Sequence, residues 1–323
     1  MGPTSVHSAG QGCIVTLTQT LGEAMRITSE FAIKGPVPFV DVHVDRDNLL
    51  FLDPSAIRNG SDALSKAAND TLIRFFAEVL RLRSSASPTD HAIGQELLSH
   101  LHEPNETRLG MSVASKFGRA FGSQHATDLW DLLGKSREAQ ASVMTRLEHL
   151  RLFADGVGYD LISDATTRIL FGHLCDFTQS MMKRYPELMF GAKSVDAEVF
   201  DTSSLTWEAR STELPIADGR TLLLVPKGWV YWRTLMDVGP FYNRYASATV
   251  QDEQTVIRSD GKAIKPSKKS IREANRDMRT LNRDQATKYK TQKGRDLVAE
   301  YQEFVDREFD GLSDFEIIRR TGE

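Results

Sequence analysis

Val37-Pro38-Phe39-Val40-Asp41-Val42-His43-Val44 opens the ordered reading of this chain. Val40, Val42 and Val44 alternate with Asp41 and His43, the two-residue period of a strand with one apolar face. About twenty residues later the period changes. Leu64, Ala68, Leu72, Phe75, Phe76, Val79 and Leu80 recur at helical spacing behind Ser61 and Asp62, which suit an N-cap and first turn. Working outward, residues 13–18 and 49–52 read as short strands, the second closed by the turn signal Asp53-Pro54. A second helix is expected from Thr89 or Asp90 to Leu101, with others near 124–133 and 138–150 and a long one ending near Tyr185. Leu205 to Ala209 and Thr221 to Val225 read as strands with Asp218-Gly219 between them. Strands and helices mixed in this way, with few tight βα alternations, predict an α+β fold: a mixed α/β core with a helical C-terminal appendage.

The charge distribution divides the chain more clearly than its net charge of −4. Residues 1–261 carry 25 basic and 32 acidic side chains, 262–295 carry 12 and 3, and 296–323 carry 3 and 9. The expected organisation is a core domain over 1–261 and a basic, then acidic, helical segment over 262–323. Two cysteines, Cys13 and Cys175, lack zinc-site or CxxC spacing and fit a reducing compartment. Cys175, inside an apolar helical pattern, reads as a small buried hydrophobe. The N-terminus has no signal-peptide order, Val6 breaks a myristoylation pattern, and no apolar run nears the ~20 residues of a bilayer span. A cytoplasmic protein without membrane contact is expected.

Four segments carry chemistry-bearing patterns. In Asp155-Gly-Val-Gly-Tyr-Asp160-Leu-Ile-Ser-Asp164, Asp160 and Asp164 share a helix face one turn apart, with Ser163 and Thr167 nearby. They suit a Mg²⁺ site or an acid/base pair, or simple acidic capping of a helix start. Leu222-Leu-Leu-Val-Pro-Lys227 delivers an ammonium to a strand end, to stabilise an anion or merely to terminate the strand. Residues 103–123 hold glycines, serines, Arg108 and Arg119, a flexible loop or a phosphate cradle without Walker spacing. Finally, Lys268, Lys269, Arg272, Arg276, Arg279 and Arg283 follow one another in a helix-prone stretch. Arg272, Arg276, Arg279 and Arg283 at i, i+4, i+7, i+11 make one stripe, suited to a phosphate backbone or to pairing with the acids of 300–314. His91, His100, His102 and His125 show no HExxH spacing and are not read as ligands.

Taken together, Asn105-Glu106-Thr-Arg-Leu-Gly110, Gly118-Arg-x-x-Gly122, the Asp155–Asp164 stretch, Leu214-Pro and Leu222-Leu-Leu-Val-Pro-Lys227 resemble a group of uncharacterised bacterial proteins over about residues 37–245. That resemblance suggests a setting in mobile elements or phage defence. More distantly, the chain is similar to the PD-(D/E)xK nuclease pattern. The similarity would make Asp160 or Asp164 the first acid and Lys227 the lysine. Val225 stands where the acid two residues before the lysine is expected, and Glu208 on the neighbouring strand is the substitute. The function expected is therefore a Mg²⁺-dependent nuclease or phosphodiester-acting protein, with Asp160, Asp164 and Glu208 on the metal, Lys227 catalytic, and the basic stripe on nucleic acid. The alternative is a non-catalytic subunit that binds nucleic acid or a protein partner.

Overall fold

The valine-rich segment 37–44 is buried on both sides. The computed structural model, which describes residues 25–102, 104–110, 123–134 and 143–322, shows Val37, Phe39, Val40, Val42 and Val44 all buried. The segment makes isolated bridges, Arg26 with His43 and Phe39 with Pro226, rather than a ladder. The Val40 amide donates to the Val225 carbonyl at 2.8 Å, and the Asp41 carboxylate accepts from the Thr28 amide and hydroxyl. The expected one-faced strand is thus an extended strand-like passage through the core. The expectations for residues 13–18, Glu103, 111–122 and 135–142 lie outside the described residues.

The elements in chain order are α1 (Ile27–Glu30), β1 (Phe51–Leu52), α2 (Pro54–Asn59), α3 (Ala63–Ser84), α4 (Pro88–Ser99), α5 (Ser123–Gly134), α6 (Leu150–Phe153), α7 (Tyr159–Ile169) and α8 (Phe171–Arg184). Then come β2 (Lys193–Asp201), β3 (Thr206–Leu214), β4 (Ile216–Ala217), β5 (Arg220–Thr221), β6 (Val230–Tyr231), α9 (Val238–Phe241), a π-turn (Tyr242–Ala246) and α10 (Ser247–Glu253). The described chain closes with β7 (Val256–Ile257), β8 (Ala263–Ile264), α11 (Lys268–Ala274), α12 (Met278–Lys293), α13 (Leu297–Glu308) and α14 (Asp314–Gly322). The fold is α+β: helices predominate, and the described strands form four antiparallel pairs, β1–β6, β2–β3, β4–β5 and β7–β8.

Local chemistry sets most boundaries. Asp53 caps α2 through the Ser55 and Ala56 amides, with Pro54 at the first helical position, so Asp53-Pro54 starts a helix rather than a turn. Asp62 caps α3, and Ser87 with Pro88 starts α4. Asp218 and Gly219 both have positive φ, 48° and 70°, the requirement of a tight hairpin turn. It joins β4 to β5, after which residues 222–225 run buried without a ladder. Gly94 lets α4 meet α5: a Cβ there would lie 2.3 Å from the Trp130 ring.

One apolar core runs from Ile27 to Ile317. The C-terminal helices belong to it, through buried Ile271, Leu281, Ala286, Leu297, Tyr301, Val305 and Ile317. Charges fasten them as well. Arg58 on α2 donates to Glu148 at 2.5 Å and to Asp306 on α13 at 2.6 Å. Cys175 is buried, and burial pushes its thiol up to about 12. No described helix is long and apolar enough to cross a membrane.

Candidate nucleic-acid interface

The Asp155–Asp164 loop is held from behind by an arginine. Arg151, buried in α6, donates to the Val157 carbonyl at 2.5 Å and to Asp237 at 2.7 Å. Its guanidinium lies over the Tyr159 ring at 4.4 Å, and the Tyr159 hydroxyl donates to Asp237 at 3.2 Å. Burial, then the Asp237 charge, raises the Tyr159 phenol. Sequence reading missed this Arg151–Asp237 staple, because its two halves are 86 residues apart. In front of it, Gly158 occupies the N-cap position of α7, so Asp160 falls in the first turn and Asp164 one turn later. Both are half-buried. Asp160 faces Gly110, whose added Cβ would lie 3.9 Å from the carboxylate. Ser163 and Thr167 are committed to the fold. The Ser163 hydroxyl accepts from the Leu52 amide, and the Thr167 hydroxyl donates to the Ser163 carbonyl.

The other expected site residues, Lys227 and Glu208, have partners of their own. Lys227 sits in a 3-10 turn after Pro226, and its ammonium is 2.5 Å from Asp314 on α14. Glu208 is exposed on β3 opposite Val199 and accepts from the Ser204 hydroxyl at 3.2 Å. The β2–β3 hairpin packs on α8 and meets the C-terminal end of α7, where Arg168 reaches the Glu198 carbonyl. That end is about 12 Å along the helix axis from Asp160. The hairpin that carries Glu208 thus sits towards the Arg168 end of α7, one turn beyond Asp164 and two beyond Asp160. Among the described residues no three His, Cys, Asp or Glu side chains are arranged to hold a metal ion.

The same hairpin gathers groups that no spacing along the chain links. His100 lies between Glu96 (2.7 Å) and Glu198 (3.0 Å) and stacks on Trp207. Burial opposes its charging, but hydrogen bonds to the two carboxylates outweigh burial and raise its pKa.

A cleft of about 450 Å³ opens between α5, the Asp155 loop and α12, lined by Asp128, Asp131, Asp155, Gly156, Leu161 and Arg283. Arg279 on α12 lies 3.6 Å from Asp155. Of the expected stripe, Arg279 thus reaches the exposed Asp155 and Arg283 lines the cleft. The stripe is not continuous: α11 ends before Asn275, and Asp277 starts a new helix by accepting from the Arg279 amide and the Thr280 hydroxyl. Lys268, Lys269 and Arg272 stay on α11 and Arg276 lies in the turn, all exposed, whereas Arg279 and Arg283 are half-buried on α12. Further along, Lys288, Lys290 and Arg295 are paired with Glu253, Asp296 and Glu300.

Immediately before α11 stands the β7–β8 hairpin, with Val256 opposite Ile264 and Ile257 opposite Ala263. Its turn closes through the Arg258 amide on the Lys262 carbonyl, with Gly261 at φ 80°. Sequence reading passed over it, although Asp260-Gly261 between two apolar pairs is a hairpin signal. Arg258, Lys262 and Lys265 extend the exposed basic surface of α11. Between residues 256 and 276 there are seven basic and two acidic side chains. Lys265 pairs with Asp252 and Lys269 with Glu273, both on exposed partners.

Fold and surface thus define an α+β protein with a helical C-terminal part and a concentration of exposed cations over residues 256–276. The chain belongs to the family described as Domain of unknown function (DUF8370), whose model matches residues 34–237. No curated protein and no solved structure matches the chain. The family match ends at Asp237, the N-cap of α9, so the hairpin and α11 lie beyond it.

Proposed function

We propose that this protein is a non-catalytic nucleic-acid-binding subunit that holds the phosphate backbone on α11 and the β7–β8 hairpin. One observation supports this reading above the rest: all seven cations of residues 256–276 are exposed, whereas Arg279, Arg283, Lys288 and Lys290 of α12 are half-buried, Lys288 and Lys290 in ion pairs. Exposed cations concentrated on one face release counterions from a polyanion, so affinity falls steeply with salt. The test is a binding titration of labelled duplex and single-stranded DNA and RNA over a salt series. Wild type is expected to bind with a steep slope. Lys268→Gln/Lys269→Gln/Arg272→Gln/Arg276→Gln should bind on the order of a hundredfold more weakly, with a slope about 3–4 smaller. An unchanged slope would remove the surface from the reading.

A Mg²⁺-dependent phosphodiester-cleaving reading keeps one supporting observation, the cleft that places Asp128, Asp131 and Asp155 beside Arg283 of the next basic helix. Cleavage assays with Mg²⁺, Mn²⁺ or EDTA on wild type, Asp160→Asn/Asp164→Asn and Asp128→Asn/Asp131→Asn distinguish the two. Metal-dependent cutting that disappears in either pair would replace the binding reading with an enzyme.

A further inference from the structure

Among the described strand pairs, β7–β8 leaves its apolar side chains outside the core. Val256 is 63% exposed, Ile257 73% and Ile264 48%. Cross-strand partners project from the same face, so Val256 and Ile264 lie on one face and Ile257 and Ala263 on the other, and all four are exposed. Other strand pairs are spent differently: β1 and Val230 of β6 are buried, β2–β3 covers α8, and Ala217 of β4 is buried. A two-stranded ribbon uncovered on both faces gains little stability by itself. Its apolar side chains are available to a partner, and the charges around them select the partner's sign. Arg258 and Lys262 flank the turn, Lys265 follows β8, and Lys268 and Lys269 open α11 at the base.

A polyanion with an apolar-accepting recess is the chemistry that fits both features. The major groove of B-form DNA admits a two-stranded ribbon and presents the thymine methyl group to apolar side chains. The A-form groove of an RNA duplex is too deep and narrow for side chains to read. Strands about 4.8 Å apart make a ribbon well within a groove about 12 Å wide.

We infer that the hairpin enters the major groove of duplex DNA, with Val256, Ile257 and Ile264 on base edges and the cations of the turn and of α11 on the flanking phosphates. This rests on the nucleic-acid-binding reading above and deepens it, naming the substrate as B-form duplex. Affinities are measured for one sequence prepared as DNA duplex, as RNA duplex and as DNA with uracil replacing thymine. Wild type should prefer the DNA duplex about tenfold over RNA and lose several-fold on uracil substitution. Val256→Ser/Ile257→Ser/Ile264→Ser should bind both duplexes alike while keeping its salt slope. The uracil duplex probes the same contact with the protein unaltered, so a misfolded variant does not blunt the test. Equal wild-type affinity for the two duplexes, or a preference retained in the triple variant, would overturn the inference and leave backbone binding standing. No binding of wild type to any nucleic acid would overturn both.

Discussion

α11 and α12 are consecutive pieces of one basic run, and the fold treats them oppositely. α11 buries one apolar residue, Ile271, and leaves Lys268, Lys269 and Arg272 in solvent. α12 buries Leu281, Asn282, Gln285 and Ala286, and the Asn282 amide donates to the Leu152 and Val238 carbonyls. Its arginines are half-buried, Arg279 beside Asp155 and Arg283 in the cleft wall. Charge density is therefore no measure of available charge. What decides it is whether the neighbouring face of the same helix is needed by the core. At the far extreme, Arg58 has its charge spent wholly inside the fold, on Glu148 and Asp306.

The largest expected effect breaks that interior end. Arg58→Met leaves the buried Glu148 without its cation and unlinks α2 from Asp306 on α13. Losing one partner of a buried pair costs about 3–5 kcal/mol, to be read from urea unfolding midpoints. The α11 quadruple variant, by contrast, should change stability by less than about 0.5 kcal/mol. If the two variants proved equally stable, the division into interior and exterior cations would be lost.

The second effect is pH-dependent and comes from the neighbours of Arg58. Burial lowers the His149 pKa to about 4 and raises that of Asp53 to about 6. His149 stays neutral in the folded state while the unfolded chain takes a proton below pH 6.5, so its contribution is lost as pH falls to about 4. Asp53 holds its proton in the folded state below about 6, so its contribution grows as pH falls towards 3.8. The two slopes oppose each other over nearly the same window. His149→Gln removes one of them: its stability relative to wild type should rise by about 3 kcal/mol between pH 7 and pH 4. A difference that stays constant with pH would mean that His149 does not titrate in this way.

Much of this division was legible in residues, and some was not. The α3 pattern stands because Ala68, Leu72, Phe75, Phe76 and Val79 are all buried, and helical spacing is a property of the local chain. The basic concentration was likewise visible, since a count needs no neighbours. The break at Asn275 was not, because Asn-Arg-Asp lacks glycine and proline and only the Asp277 cap ends the stripe. Nor was the inward turn of Arg279, whose partner Asp155 lies far back in the sequence. The strand β2 was missed because only Ala197 and Phe200 are buried in it, too few to show a period. The shared helix face of Asp160 and Asp164 was legible from their spacing, but not that Gly158 is the N-cap and Asp164 lies a turn in.

A smaller effect sharpens the contrast between the two helices directly. Arg272→Gln/Arg276→Gln should lower the salt slope of nucleic-acid binding by about 2, as two phosphate contacts would. Arg279→Gln/Arg283→Gln should leave the slope nearly intact and lower stability instead by about 1 kcal/mol, because Arg279 and Arg283 work against Asp155 and the cleft wall. Equal changes of slope in both pairs would mean that α12 also meets the ligand.

The smallest effect concerns Lys227, whose pattern suggested catalysis and whose position suggests attachment. Its pair with Asp314 joins the turn after Pro226 to α14, and the Asp314 side chain is 60% exposed. Solvent screens such a pair, and its worth is at most about 1 kcal/mol. Lys227→Met should therefore cost less than that, leave the salt slope unchanged, and match Asp314→Asn closely, since each removes the same contact. The double variant should cost no more than either single change, the signature of a shared interaction. Should Lys227→Met abolish an activity that Asp314→Asn preserves, the lysine would be acting on a ligand rather than on the helix, and the exterior of this molecule would include a second working surface.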